Sequence, residues 1–214
     1  MCDGPVIART LAELDAINRL LGGNHISINA FKSLIKNRTQ PIHLVDLGCG
    51  SGDMMKIMAD ICRKKGVTAT FTGIDANPNI VAYAKNHTKD YPEIDYKCIN
   101  ILSDAFQEIQ CDVIHTCLFC HHFSSEQLMQ LFSTFKKMAR EKVIINDLHR
   151  HFLAYYSIKW LTNLFSQSDM VKNDAATSVA RGFKRSELQE ILKGARITAP
   201  KLSWAWAFRW KLVY

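Results

Sequence analysis

No uncharged apolar run in this sequence reaches the ~18 residues that a membrane-crossing helix needs, so nothing in it reads as a transmembrane segment. The opening MCDGPVIART has no basic flank followed by an apolar stretch, which argues against a secretory leader. Seven cysteines form an odd set without the regular spacing of a disulfide framework, so a reducing, cytoplasmic setting is expected. Internal repeats and low-complexity tracts are absent. Blocks of like charge are also missing. Lys and Arg outnumber Asp and Glu by 27 to 20, giving a net charge of +7 and a pI near 9.0, but they are scattered. The densest groups, Arg63-Lys64-Lys65 and Lys136-Lys137, fall at predicted helix ends, where cations suit the helix dipole. The charge is compatible with a nucleic acid or an anionic membrane surface as partner. Its dispersal favours a solvated surface instead.

What is present is a chain of 214 residues, 48% apolar and 22% charged, read as one domain able to bury a substantial core. It is organised around His43-Leu44-Val45-Asp46-Leu47-Gly48-Cys49-Gly50-Ser51-Gly52-Asp53. The apolar run 42–47 predicts a buried strand, the alternate glycines a tight turn, and 53–65 a helix. A helix N-terminus behind such a turn offers free N–H groups to a ligand. The spacing differs from the dinucleotide fingerprint G-x-G-x-x-G, whose third glycine is replaced here by Asp53. Asp46, two residues before the first glycine, is a poor neighbour for a pyrophosphate and suits a cationic ligand. That chemistry points to S-adenosyl-L-methionine (SAM), whose amino-acid end carries an ammonium near a sulfonium.

Asp46-x-Gly48-x-Gly50-x-Gly52 resembles the glycine-rich motif of class I SAM-dependent methyltransferases. Phe71-Thr72-Gly73-Ile74-Asp75 supplies the second expected feature, an acid closing the next strand to hold the ribose hydroxyls, before Ala76-Asn77-Pro78 opens a helix. The resemblance implies SAM as cofactor and S-adenosyl-L-homocysteine as product. It implies cofactor contacts at Asp46, Gly48, Cys49, Gly50, Gly52, Asp75, Ala76, Asn100, Ile101 and Cys117. Asn100 stands where the family commonly has an acid against the adenine amino group; its amide oxygen accepts the same bond, and Asp104 is a substitute.

From residue 41 onward strands and helices alternate, which predicts parallel βαβ units. Strands are expected at 42–47, 69–75, 94–99, 111–117 and 142–147, and near 196–203 and 205–213. Helices are expected at 53–65, 78–88, 125–139 and 185–193. The resemblance implies an α/β, Rossmann-like class I methyltransferase fold. It would have a seven-stranded, mostly parallel sheet, a C-terminal antiparallel hairpin, helices on both faces and a helical insertion after strand five. Residues 1–40 read as a helical cap, with one helix over 8–22 carrying Leu11, Leu14, Ile17, Asn18 and Leu21 at helical spacing and another over 26–35. The insertion, 149–183, begins HFLAYYSIKWLTNLF, apolar on nearly every helical face. It packs on the core, roofs a lipophilic pocket, meets a membrane or forms a dimer contact; monomer and homodimer both stay open.

Methyl transfer from a sulfonium mainly requires an aligned acceptor and excluded water; an oxygen acceptor also gains from a general base. Ligands of open α/β sheets bind at the carboxyl ends of the strands. After strand four comes Thr116-Cys117-Leu118-Phe119-Cys120-His121-His122-Phe123, without the Asn-Pro-Pro-aromatic signature of enzymes that methylate exocyclic amines of bases. Leu118-Phe119-x-His121-His122-Phe123 instead resembles small-molecule methyltransferases associated with polyketide and phenolic-lipid biosynthesis. The likeness continues in Asn146-Asp147-Leu148-x-Arg150, Ser178-Val179-x-Arg181-x-Phe183 and Phe208-Arg209, and reaches back to Ala16-Ile17-Asn18-Arg19-Leu20. Tandem histidines point in different directions, so one of His122 and His121, with a slight preference for His122, is expected to serve the acceptor; His149 and Arg150 complete the catalytic candidates. Arg150 and Arg181 either order the insertion, neutralise a phenolate or carboxylate, or pair with Asp147 or Asp174. Cys117-x-x-Cys120-His121-His122 lacks a second pair at ligand spacing, so no metal site is expected. The expected activity is O-methylation of a lipophilic phenolic or polyketide-type hydroxyl. RNA or protein methylation and non-catalytic SAM binding are the rivals.

Overall fold

A computed structural model describes residues 12–13, 16–166 and 168–214. Seven strands form one sheet in the order β3-β2-β1-β4-β5-β7-β6. They are β1 (Ile42–Leu47), β2 (Ala69–Asp75), β3 (Ile94–Cys98), β4 (Cys111–Cys117), β5 (Ala139–Leu148), β6 (Lys201–Ala205) and β7 (Arg209–Val213). β1 to β5 run parallel, and β7 lies antiparallel between β5 and β6. The sheet order reverses between β1 and β4, which opens a crevice at their carboxyl ends.

The helices among the described residues follow from local signals. α1 (Asn24–Leu34) precedes the sheet. α2 (Asp53–Lys65) ends on Gly66, whose left-handed backbone lets its N–H return to the Arg63 and Cys62 carbonyls. α3 (Pro78–His87) is opened by the Asn77 side chain, which accepts from the Asn79 N–H, with Pro78 in the first turn. A short α4 (Asp104–Gln107) follows β3. α5 (Ser125–Met138) starts with a capping box between Ser124 and Gln127. The insertion folds as α6 (Phe152–Phe165) and α7 (Asp169–Arg181), and α8 (Arg185–Gly194) leads to the final hairpin.

The expected sheet is present. β5 runs longer than the apolar stretch predicts, because parallel pairing with β4 begins at Cys111 and Ala139 and recruits Arg140 and Glu141 at the exposed end. The hairpin strands are shorter than predicted: positive φ at Ala199 and Phe208 bends the chain before β6 and before β7. Residues 16–20 are helical, while Leu11 and Leu14 of the predicted first helix lie outside the described residues.

Strand alternation assigns each face its work. Ile42 and Leu44 of β1 pack with Phe31 of α1, Met55 and Met58 of α2 and Val81 of α3. Val45 and Leu47 pack on the opposite side with Phe132 and Phe135 of α5 and Leu188 and Ile191 of α8. Asp46 and His115 are neighbours in register between β1 and β4 and share the α1 face, where apolar side chains would otherwise stand.

Candidate active site

The chain leaves β1 at Leu47 and turns through Gly48 at φ +65° and Gly52 at φ +82°, conformations that side chains with a Cβ rarely adopt. The sequence alone assigns these glycines to close ligand approach. The structure adds a second cause: a Cβ at Gly48 would strike the Phe119 ring, and one at Gly52 the Tyr96 hydroxyl. The turn is tied to the sheet by the Gly48 N–H, which donates to the Ile74 carbonyl at 2.9 Å. At the end of β2, Asp75 is part-exposed and accepts from the Asn77 N–H at 2.9 Å. Burial raises its pKa above the usual carboxylate range, opposed by N–H groups of Asn77, Gly50 and Ala76. One carboxylate thus spans the glycine turn and the start of the next helix.

Asp46 is buried, and one of its oxygens faces His115 Nδ1 at 2.7 Å. His115 Nε2 meets Ser27 Oγ of α1 at 2.8 Å, and Asn146 Nδ2 donates to the same hydroxyl at 3.1 Å. Among the sequence-expected cofactor residues, Cys49 is buried beneath the turn, and burial together with the charges of Asp46 and Asp75 pushes its thiol well up. Ala76 and Asn100 are exposed and Ile101 is buried. The Asn100 side-chain oxygen accepts from the Leu102 N–H at 3.0 Å, so it folds the turn after β3. Asp104 opens α4. Burial pushes the Cys117 thiol to about 11. Asp46 precedes the glycine turn and Asp75 takes its Gly50 N–H, so two carboxylates border it. That donor set fits the cationic end of SAM and a ribose better than a pyrophosphate.

A cavity of about 750 Å³ opens at the carboxyl ends of β4 and β5 and is roofed by α6 and α7. Its wall is mainly apolar, with Ile17, Leu118, Leu161 and Val179 among the lining residues. His121 and His122 both line it, with ring centroids 4.2 Å apart. This corrects the expectation from tandem spacing: a 3-10 turn at Cys120–His122 swings both rings to one side. His121 is buried, and its Nδ1 lies 2.8 Å from Asp147 Oδ1. Asp147 also accepts from the N–H groups of Phe119 at 3.1 Å, Cys120 at 2.7 Å and Leu148 at 2.7 Å. Burial would raise the Asp147 pKa, but the His121 ring, the Leu148 N–H and the Arg209 charge hold it below the usual value. His121 Nε2 is buried with no hydrogen-bond partner among the described residues. Burial and the neighbouring His121 depress the pKa of the more exposed His122.

His149 and Arg150 do not join this cavity. The His149 Nδ1 accepts from Trp204 Nε1 at 3.2 Å, and its ring packs edge-on against Trp210. Arg150 pairs with Glu187 of α8, not with Asp147. Sequence reasoning missed Asp147 as the partner of His121, and it missed His115. An acid closing β5 beside a histidine turn closing β4 was the available signal for the first. A histidine alternating with Val113 and Cys117 on one strand face was the signal for the second.

Residues 44–142 match the methyltransferase-domain family. A curated relative, the non-reducing polyketide synthase sor2 of Hypocrea jecorina (strain QM6a), is 32% identical over 57 residues, covering 27% of this chain and 2% of that protein. The chain spans no more than 3% of the length of the curated relatives it matches. Among solved structures, the plantazolicin methyltransferase BpumL in complex with SAH superposes with a TM-score of 0.68 at 20% identity, covering 94% of this chain and 74% of that one. The CurJ carbon methyltransferase gives a TM-score of 0.61 at 14% identity, covering 84% of this chain and 50% of that one. At these identities the likeness to solved structures is a likeness of fold.

Proposed function

We propose that this chain, whose residues 44–142 match the methyltransferase-domain family, is a class I SAM-dependent methyltransferase that transfers a methyl group to a lipophilic small molecule held in the α6/α7 cavity. The carrying observation is the buried Asp147–His121 pair, whose remaining nitrogen has no hydrogen-bond partner among the described residues and belongs to a residue lining that cavity. SAM supplies a methyl on a sulfonium, already a good leaving group. Gly48, Gly50, Gly52 and Cys49 form its cradle in this reading, Asp75 takes the ribose, and Asp46 acts on the amino-acid end through His115 and neighbouring groups. Ala76, Asn100, Ile101 and Cys117 complete the walls. Asp147 fixes the Nδ1–H tautomer of His121, leaving Nε2 as the base that takes the acceptor proton. His122 orients the acceptor, and α6 and α7 act as a lid that excludes water. The acceptor is a phenolic or polyketide-type hydroxyl. The polyketide synthase relative and the apolar wall support that class, and six free thiols among the described residues support a cytoplasmic setting.

A second reading has one observation behind it: the carbon methyltransferase among the structural relatives. The same base would remove a proton from an acidic carbon, and the methyl would end on carbon. The test is transfer of labelled methyl from SAM into cell extract, split into organic-soluble, RNA and protein fractions, with Asp75→Ala as control. Label in the organic fraction that disappears in the variant supports the reading, and magnetic resonance of the product distinguishes oxygen from carbon. Label confined to RNA or protein overturns it.

A further inference from the structure

The start of β7 places a charge in the cavity that the methyl-transfer reading does not use. Arg209 lines the cavity, yet its side chain is buried. Its Nη2 donates to Asn18 Oδ1 at 2.8 Å, and its Nη1 has no hydrogen-bond partner among the described residues. No carboxylate forms a salt bridge with it there. The Cys117 sulfur and, from farther off, Asp147 stabilise its charge, but both Asp147 oxygens are occupied by His121 and three backbone N–H groups. Asp174 lines the same cavity from α7 and is exposed. A guanidinium taken out of water without a directly paired carboxylate is costly, enough that burial lowers its pKa despite Cys117 and Asp147. A cation is retained in such a place most economically if a ligand completes it. Two nitrogens without a hydrogen-bond partner among the described residues, Arg209 Nη1 and His121 Nε2, thus belong to residues lining one mainly apolar chamber.

Building on the proposed methyl transfer, we propose that Arg209 is the specificity-determining residue for an acidic acceptor: an amphiphile whose apolar body fills the chamber and whose carboxylate meets the guanidinium. A charge-assisted contact to a planar fork orients the head, so that a neighbouring hydroxyl faces His121. The probes are olivetolic acid, a resorcylic acid with a pentyl chain, and olivetol, the same molecule without its carboxyl group. Each is titrated calorimetrically at neutral pH into protein saturated with S-adenosyl-L-homocysteine. The wild-type chain is expected to bind the acid at least ~tenfold more tightly. Arg209→Met is expected to bring the two affinities within about twofold, Arg209→Lys to retain part of the preference, and affinity for S-adenosyl-L-homocysteine to stay within about twofold. Equal binding of the two probes by the wild type overturns the proposal without any variant, as does no binding of the acid at ~1 mM. A preference that survives Arg209→Met overturns it too. Loss of S-adenosyl-L-homocysteine affinity with the preference intact would assign the guanidinium to the cofactor carboxylate instead. Because binding is the readout, failure of methyl transfer to either probe counts against the methyl-transfer reading and not against Arg209.

Discussion

Asp147→Asn is the perturbation that isolates the proposed base. The native carboxylate presents one oxygen to the Phe119 and Cys120 N–H groups and the other to His121 Nδ1 and the Leu148 N–H. An amide keeps one acceptor, which the first pair claims, and turns its NH2 towards the second. His121 Nδ1 then accepts, so its proton moves to Nε2, and the base becomes a donor facing the acceptor. General-base catalysis contributes about 10²–10⁴-fold, roughly 3–5 kcal/mol of barrier. The expected result is a loss of that size in kcat for methyl transfer, with acceptor KM and S-adenosyl-L-homocysteine affinity within about threefold. The Leu148 N–H also loses its acceptor, which costs about 1–3 kcal/mol of stability and lowers Tm by roughly 2–12 °C for a domain of this size. A variant that melts lower but keeps kcat within about threefold refutes the role of His121 while leaving the structural role of Asp147 intact.

Asp75→Ala should weaken S-adenosyl-L-homocysteine binding by about tenfold or more in calorimetry, the scale of a lost charge-assisted contact. Gly48→Ala should lower Tm by roughly 5–15 °C in a thermal melt, because a left-handed residue costs about 1–2 kcal/mol and the Phe119 ring must also move. Ser27→Ala leaves His115 Nε2 without its hydroxyl partner and should cost about 1–3 kcal/mol in denaturant unfolding. Burial holds the pKa of His43, His122 and His149 below that of the unfolded chain. The unfolded state therefore binds more protons as pH falls through about 6.5, and Tm should drop between pH 7 and pH 5. A flat profile over that range would contradict the burial of these rings.

The sheet was legible because its punctuation is local. Gly48-x-Gly50-x-Gly52, Asn77-Pro78 and Ser124 with Gln127 are short-range devices, and each places an element boundary by itself. The cavity chemistry is built from pairs that sequence spacing does not connect. Asp147 meets His121 only because β5 pairs with β4, and Asn18 meets Arg209 only because the last strand docks against β5. Tandem spacing misread His121 and His122, since the 3-10 turn that aims both rings depends on Asp147 gathering the N–H groups of the turn. His149 and Arg150 looked as exposed to the site as Asp147 does, being at the same strand end. Their engagement by Trp204 and Glu187 comes from the hairpin and from α8.

The hairpin also orders events in time. Among the described residues β6 has a ladder only with β7, while β7 has ladders with both β6 and β5. A growing chain that ends before Arg209 therefore carries β6 as an orphan and β5 with an open edge. The cavity at that stage lacks Arg209, and Asn18 has no guanidinium to accept from. The Asn18–Arg209 contact joins residues 191 positions apart and is of the slow kind, since a long loop closes before any stabilisation returns. Completion of the binding chamber thus waits on β7, and truncations within residues 209–213 should remove it while leaving β1 to β4 able to pair.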